Sequence, residues 1–225
     1  MYYISNLEQE KGHGTYEILQ EQNIESLLAV PLRKEGKMIG FLGVDNPQKH
    51  YDDATLLSSM QYFITNSLSM KKQKEWLEYL SYSDMLTKLY NRNKYIEVVE
   101  TYEHKTITSV GAAYIDLNYL KRYNDQLGHE AGDRYICHAA AVLGRIFPKN
   151  AYRVGGDEFV VLVFPVEKEI FYQKIQQLQK EMKEKEVSIS LGTLWQEKTE
   201  DLEAFLKKAD ELMYQEKEMY HRQRK

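Results

Sequence analysis

Hydrophobic positions follow two different periods in the first part of the chain. Two apolar runs, residues 27–32 and 38–44, flank a charged turn and together predict a β-hairpin. The second run contains no polar residue, so we expect that strand to be buried on both faces. Over residues 53–80 the apolar side chains recur at steps of three and four, which predicts one long helix or two helices in succession.

Beyond residue 81 helical and strand-like segments alternate. Ser81, Ser83 and Asp84 offer helix N-cap side chains, so we expect a helix to begin there and to carry Leu89 and Tyr95 on its apolar side. The further predicted elements are a strand at 109–117, a polar stretch before a helix at 132–147, a hairpin of residues 152–154 and 159–164, a helix at 167–185, a strand at 187–191 and a helix at 201–222. This alternation predicts an α/β or α+β fold.

Charge and composition narrow the possible functions. The 225 residues lie between one and two typical domains, and 43% of them are apolar, enough for a hydrophobic core. The formal net charge of −4 argues against a protein that neutralises many nucleic-acid phosphates, so we expect no nucleic-acid partner. A nucleotide ligand remains compatible with this charge, because a divalent cation can bridge acidic side chains to phosphates.

Three further features bear on the location of the chain and on its redox chemistry. The longest apolar run, residues 159–166, contains Pro165 and is too short to span a bilayer. The first six residues lack the basic and apolar blocks of a signal peptide, so we expect a soluble, cytoplasmic chain without a membrane segment. Cys137 is the single cysteine, which excludes an intrachain disulfide, and we expect it to be an inert core residue.

The string Gly155-Gly156-Asp157-Glu158 is the most informative local motif. Adjacent glycines between two apolar strands predict a tight hairpin turn whose backbone a ligand can approach closely. The two carboxylates then stand at the start of the second strand, on opposite faces. The alternative is a hairpin turn whose exposed acids serve only solubility.

A second acidic position, Asp116, ends an otherwise apolar strand. If this strand lies beside the hairpin, Asp116 and Asp157 converge on one point. Two carboxylates with a backbone carbonyl form a hard-oxygen site suited to Mg²⁺ or Mn²⁺. Because magnesium keeps open positions for phosphate oxygens, the expected ligand is a nucleoside triphosphate. The alternative is an acid that caps the following turn.

The polar segment 121–133 contains groups that match a guanine base. Asn124 and Asp133 can meet across the turn at Gly128. A carboxylate that accepts N1–H and N2–H, with an amide at O6 or N3, complements the guanine edge. Both residue types are also common turn formers, which is the alternative interpretation.

Together these residues resemble the GGDEF family of diguanylate cyclases, over more than half of the chain. The matching strings are D-M-L-T-K-L-Y-N-R at 84–92, D-L-N-Y-L-K-R-Y-N-D at 116–125, G-H-E-A-G-D at 128–133, G-G-D-E-F at 155–159, S-I-S-L-G at 188–192 and A-D-E-L-M-Y-Q-E-K at 209–217. The resemblance implies a central, mostly antiparallel sheet flanked by helices, similar to nucleotidyl cyclases.

The activity that this resemblance implies is the synthesis of cyclic di-GMP from two GTP molecules. It assigns the metal, Mg²⁺ or Mn²⁺, to Asp116, the Leu117 carbonyl and Asp157. Asp157 is also the implied base for the ribose 3′-hydroxyl, with Glu158 assisting. The glycines at 155–156 are implied to be necessary because any Cβ there would crowd the phosphates.

Substrate contacts and assembly follow from the same resemblance. Asn124, His129 and Asp133 are the implied ligands of the guanine and its ribose. Lys121 and Lys217 are implied to neutralise the triphosphate and the charge that develops in phosphoryl transfer. Each domain binds one GTP, so two domains must face each other, and a homodimer is required for catalysis.

The chain also departs from the family pattern. Many members carry an R-x-x-D product-inhibition site, but Ile146 and Lys149 occupy its two positions, so we expect no inhibition by that route. After Lys217 the usual Gly-Arg-Asn is replaced, and His221 or Arg222 is the candidate for its phosphate contact. Arg145 lies one position before the arginine position of the inhibition site, and the residue three positions after it is the apolar Pro148. Asn118 replaces an aspartate that is frequent in the family, and we expect this replacement to be harmless.

Residues 23–32 and 39–47 resemble the second half of a GAF domain. A pocket formed by half a domain requires partner chains to complete it, and a dimerisation or packing remnant is the alternative to a working sensor. The predicted organisation is therefore a partial GAF-like domain at 1–68, a helical linker at 69–82 and a GGDEF domain at 83–225. Amphipathic helices as long as the one predicted here often pair in dimers.

Two other functions remain open beside an active cyclase. One is a catalytically silent, GTP-binding regulatory module that retains the site without a productive dimer. The other is a related cyclase that uses both ATP and GTP, although Asn124 and Asp133 predict selectivity for guanine.

Overall fold

The computed structural model describes residues 2–12, 14, 16–34, 36–48 and 55–222. It divides into two compact units, Met1–Leu77 and Glu78–Lys225, which are described one at a time. None of the helices in this part of the chain combines the length and the hydropathy that a membrane-spanning segment requires.

The first unit contains a small antiparallel sheet with the strand order β1-β2-β3. The elements in chain order are β1 (Tyr2–Ile4), a short 3-10 helix (Leu7–Glu10), α1 (Tyr16–Glu21), β2 (Leu27–Lys34), β3 (Lys37–Asp45) and α2 (Thr55–Tyr82), which ends in the second unit. The predicted hairpin is confirmed as β2 and β3, paired from Leu27↔Asp45 to Lys34↔Lys37. The predicted helical region is one continuous helix of 28 residues.

The burial expected for β3 is wrong. Met38, Ile39, Phe41 and Val44 are all exposed in β3, which is the edge strand of the described sheet. The buried apolar residues of this unit form two small clusters: Ile4, Ile24, Leu27 and Ala29 in one, and Leu28, Val30 and Leu57 in the other. A run of apolar residues shows that a strand can be buried, but it does not show that a second layer covers it.

The second unit is built on a five-stranded sheet with the order β4-β6-β7-β5-β8. Its elements are β4 (Tyr90–Asn91), α3 (Arg92–Thr101), β5 (Ile107–Leu117), α4 (Leu120–Leu127), α5 (His129–Ile146), β6 (Ala151–Arg153), β7 (Glu158–Val163), α6 (Lys168–Glu184), β8 (Ile189–Thr199) and α7 (Leu202–Arg222). The pair β4–β6 is parallel and the other pairs are antiparallel. The expected mostly antiparallel sheet flanked by helices is confirmed.

Apolar side chains cover both faces of this sheet. One core contains Ile115, Phe159 and Val161 from the strands and packs against α5 and α6. The other contains Val160 and Leu162 and packs against α3 and α7. Alternate residues of the central strands β5 and β7 therefore contact different layers, which explains why both strands are so apolar.

Three local predictions differ from the structure. Residues 85–87 form a turn, and Asn91 caps α3 by accepting a hydrogen bond from the Lys94 amide at 3.1 Å. Asp84 instead accepts hydrogen bonds from the amide and hydroxyl of Thr87, at 2.8 and 2.7 Å. The polar stretch before α5 contains the helix α4, and β8 is longer than predicted.

Candidate active site

The end of β5 and the start of β7 bring two acidic residues together. In the antiparallel ladder Asp116 pairs with Glu158, and the Leu117 amide donates to the Asp157 carbonyl at 2.9 Å. Asp116, Leu117 and Asp157 all line one cavity of about 480 Å³. The register of β5 against β7 therefore brings the two acidic residues that the sequence singled out to the wall of one cavity.

The hairpin between β6 and β7 is held by an arginine. Arg153 donates through Nη2 to the Gly156 carbonyl at 2.8 Å and through Nη1 to Asp84 Oδ1 at 3.1 Å. A Cβ on Gly155 would lie 2.5 Å from Glu158 Oε2, so glycine at 155 makes room for the Glu158 carboxylate. A Cβ on Gly156 would meet open space, so the chain itself leaves the approach to this residue clear.

Lys217 of α7 reaches the buried carboxylate of Asp116. Its Nζ donates to Asp116 Oδ2 at 2.6 Å, and Asp116 is only 2% exposed. This contact depends on close packing of α7 against β8, because a Cβ on Gly192 would overlap the Ala209 carbonyl oxygen and the Met213 amide. Lys217 therefore places a positive charge directly beside the buried acid.

The first turn of α4 forms another wall of the cavity. Tyr119 adopts a left-handed conformation with φ 68°, which turns the chain from β5 into the helix. Lys121, Arg122 and Asp125 of α4 line the cavity. Lysine and arginine side chains therefore face the same space as the two carboxylates.

The expected base-binding residues lie at the junction of α4 and α5. A Cβ on Gly132 would overlap Asn124 Oδ1, so the Asn124 amide packs on α5 next to the position of Asp133. Gly128, with φ 83°, makes the turn between the two helices. Asn124 is half-buried, and His129 and Asp133 are exposed. All three lie outside the residues that line the Asp116 cavity.

Sequence reasoning underestimated Asn118. It is buried, its Nδ2 donates to Ser188 Oγ at 3.2 Å, and its Oδ1 accepts from Ser190 Oγ at 3.0 Å. Its carbonyl accepts from the Tyr135 hydroxyl at 3.2 Å. Asn118 therefore connects the end of β5 to β8 and α5. Its position two residues after Asp116 was the sequence feature that could have indicated this role.

The last turn of α7 does not bring an arginine to the cavity. The Tyr220 hydroxyl lies 3.0 Å from Ser188 Oγ, and its ring lies 5.7 Å from that of Tyr119. Arg222 Nη2 donates to Glu218 Oε2 at 3.2 Å, one turn back on the same helix. The side chain of His221 lies outside the described residues.

Two further expectations concern residues away from the cavity. Arg145 forms an ion pair with Glu181 of α6, so its guanidinium serves the packing of α5 against α6. Cys137 is half-buried, with its Sγ 3.7 Å from the Leu86 carbonyl.

The donor set at the cavity fits a hard divalent cation. Two carboxylates and a backbone carbonyl supply oxygen ligands, which Mg²⁺ prefers, and they leave positions for phosphate oxygens or water. Within the described residues no group of three or more histidine, cysteine or acidic side chains forms a complete protein-only metal site.

An α+β domain with paired carboxylates and lysines around one cavity is typical of proteins that bind phosphorylated ligands through a divalent cation. Residues 81–223 match the family model of the diguanylate cyclase GGDEF domain, and the chain belongs to this family. Residues 4–65 match the family model of the GAF domain.

Curated relatives match the chain at modest identity. The chain is 30% identical over 179 residues to the signaling protein YkoW of Bacillus subtilis, covering 72% of this chain and 22% of that protein. It is 31% identical over 145 residues to the probable diguanylate cyclase DgcJ of Escherichia coli, covering 60% of this chain and 29% of that protein. The chain thus spans less than a third of either relative.

Solved structures share the fold. The coiled coil and GGDEF domain of DgcB from Caulobacter crescentus, in complex with c-di-GMP, has a TM-score of 0.58 at 19% identity, covering 73% of this chain and 95% of that one. The diguanylate cyclase SiaD from Pseudomonas aeruginosa, in complex with its activator SiaC, has a TM-score of 0.57 at 20% identity, covering 73% and 68%.

Proposed function

We propose that this chain is a diguanylate cyclase that condenses two GTP molecules into cyclic di-GMP. The observation that carries the proposal is the convergence of Asp116, Asp157 and Lys217 on one cavity. In each half-reaction the 3′-oxygen of one GTP forms a bond to the α-phosphorus of the other. Pyrophosphate leaves, and the hydroxyl proton passes to a base. GTP as the substrate is consistent with a cytoplasmic location.

The carboxylates at the β5–β7 junction have two roles in this proposal. Asp116, the Leu117 carbonyl and Asp157 would hold Mg²⁺ or Mn²⁺. When bound, the ion supplies positive charge that stabilises the phosphate oxygens during transfer. Asp157 accepts the proton of the 3′-hydroxyl, and Glu158 assists from the adjacent position at the start of β7.

The lysines and the α4–α5 junction bind the substrate. The positive charges of Lys121 and Lys217 neutralise the triphosphate. When GTP is bound, its phosphate oxygens offer the ammonium group of Lys217 an acceptor other than Asp116. Asn124, His129 and Asp133 bind the guanine and its ribose. The packing of Asn124 against α5, beside Asp133, supports an amide and a carboxylate that act on the same base edge.

A homodimer is required, because each chain holds one GTP and the product contains two. Helix α2 carries Leu56, Phe63, Met70 and Leu77 at seven-residue intervals, each between 64% and 71% exposed. A seven-residue apolar repeat is typical of helices that pair as a coiled coil. This repeat supports self-association through α2.

The product assay tests the proposal. Purified chain with GTP and Mg²⁺ should form cyclic di-GMP, and the rate per chain should rise with protein concentration. Asp157→Ala should lower the rate at least about 100-fold, since a positioned base contributes about that much or more. Glu184→Ala, at the exposed end of α6 and outside the matching strings, is the control and should stay within about twofold, as is usual for a surface substitution. Absence of product at high protein concentration would overturn the proposal.

The alternative is a catalytically silent GTP-binding module. The Lys217–Asp116 ion pair favours it, because the pair occupies one oxygen of a proposed metal ligand. GTP binding without product at any protein concentration would support this alternative. Competition by ATP in the same assay would reveal a cyclase that uses both nucleotides.

A further inference from the structure

The cationic side chains that line the cavity differ in whether they are already bonded to an acidic side chain. Lys121, Arg122 and Lys217 line the cavity, and Lys217 is bonded to the buried Asp116. A nucleoside triphosphate carries several negative charges beyond those that one divalent ion neutralises. The remaining cations of the cavity wall are therefore the groups available to the terminal phosphates.

Arg122 is the guanidinium among the described residues that line this cavity. It lies in the first turn of α4, is exposed, and forms no ion pair with an acidic side chain of the described part of the chain. Within the described residues its guanidinium therefore has no acidic partner to give up when an anion binds. A guanidinium binds phosphate oxygens in a bidentate manner, which the ammonium of Lys121 cannot do.

The other candidate arginine, Arg222, is turned away. It follows Lys217 by five residues, which places it about 140° around α7 from Lys217 at 100° per residue. Its guanidinium is bonded to Glu218, and it lies outside the residues that line the cavity. Tyr220 holds this last turn against Tyr119 and Ser188.

We propose that Arg122 binds the terminal phosphates of GTP through a bidentate guanidinium contact and sets the preference of the site for a triphosphate over a monophosphate. This inference rests on the proposed function, because it takes GTP as the ligand of the cavity. It assigns the triphosphate contact to α4 rather than to the end of α7.

Equilibrium binding to the full chain tests this role without turnover. The probes are 3′-deoxy-GTP and 3′-deoxy-GMP with Mg²⁺, which lack the attacking hydroxyl and cannot be cyclised. Arg122→Ala should weaken binding of the triphosphate about 10- to 100-fold, the range expected for lost charge-assisted hydrogen bonds. Binding of the monophosphate should change less than about twofold. Arg122→Lys should fall between the wild type and Arg122→Ala, because it retains the charge without the planar fork.

Two further variants make the result specific. Arg92→Ala removes an exposed arginine of α3 that lies outside the cavity wall and should leave both affinities unchanged. If Arg222→Ala reproduces the loss seen with Arg122→Ala, or if Arg122→Ala weakens both probes equally, the inference is overturned. Unfolding midpoints of all variants, expected to be close to that of the wild type, check that each substitution is local.

The outcomes separate this inference from the proposed function. If the wild-type chain forms no cyclic di-GMP but Arg122→Ala selectively loses affinity for the triphosphate, the catalytic proposal is overturned and the role of Arg122 is supported. If the wild-type chain forms cyclic di-GMP but Arg122→Ala loses no affinity for the triphosphate, the catalytic proposal is supported and the role of Arg122 is overturned. A chain that binds neither probe would overturn both.

Discussion

Residues of the second unit bury their apolar side chains on both faces of the sheet, whereas β3 and α2 leave many of theirs exposed. Phe159 of β7 is 0% exposed, and Phe41 of β3 is 69% exposed. The two strands are similarly apolar in sequence. The difference arises from the layers around them, because α3, α5, α6 and α7 cover the second sheet.

This contrast has a functional meaning. The covered sheet provides a rigid frame in which Asp116 and Asp157 are held by strand register. The exposed side chains of β3 and α2 form a surface of the kind that other protein chains cover. The second unit therefore contains the candidate chemistry, and the first exposes apolar surface.

The largest expected difference in the free energy of unfolding is between two phenylalanine-to-alanine substitutions, one in β7 and one in β3. Phe159→Ala should lower the free energy of unfolding by about 3–5 kcal/mol, since it opens a cavity in a closed core. Phe41→Ala should change it by less than about 0.5 kcal/mol, as is usual for an exposed site. Urea unfolding followed by circular dichroism, with the transition of each unit fitted separately, measures both. A large loss in Phe41→Ala would show that another surface covers β3.

A smaller effect is expected from a matched pair of glycine substitutions. Gly192→Ala should destabilise the second unit by about 1–3 kcal/mol, because the new Cβ overlaps backbone atoms of Ala209 and Met213. It should also lower cyclic di-GMP formation, because α7 carries Lys217. Gly40→Ala should be nearly neutral, since its nearest neighbour would be Leu32 Cδ1 at 4.0 Å. Equal destabilisation at both positions would contradict the difference in packing.

The smallest effect concerns a half-buried ion pair. Burial raises the pKa of Asp84, but hydrogen bonds from Thr87 and Arg153 outweigh it and hold the pKa below its ordinary value of 3.8. A carboxyl with a lowered pKa in the folded state stabilises the fold above its unfolded pKa. This stabilisation disappears as the pH falls through the folded value.

Asp84→Asn should therefore lower the free energy of unfolding by about 1 kcal/mol at neutral pH, and the difference from the wild type should shrink below pH 3.8. Glu8→Gln, which removes a charge from the exposed pair with Lys11 in the first unit, should change it by less than about 0.5 kcal/mol. Urea unfolding at several pH values measures both. A difference that grows on acidification would contradict the lowered pKa.

Periodicity predicted the existence and type of most elements, because amphipathic helices and apolar strands leave a local signal. It failed where a side chain serves a distant partner. Asp84 looked like a helix cap, but it binds Arg153, 69 residues away in sequence. The role of Asn118 depends on Ser188 and Ser190 of a segment that follows much later in the chain.

The sequence by itself determined the family, the mostly antiparallel fold and the acidic residues at the ends of two strands, because these are properties of short motifs in a fixed order. Only the tertiary structure decided that Lys217 pairs with Asp116, that Arg222 turns away while Arg122 faces the cavity, and that β3 stays exposed. These outcomes depend on strand register, on the rotation of α7 and on whether a second layer covers a strand. The ion pair and the walls of the cavity involve residues that are far apart in sequence, so no local pattern records them.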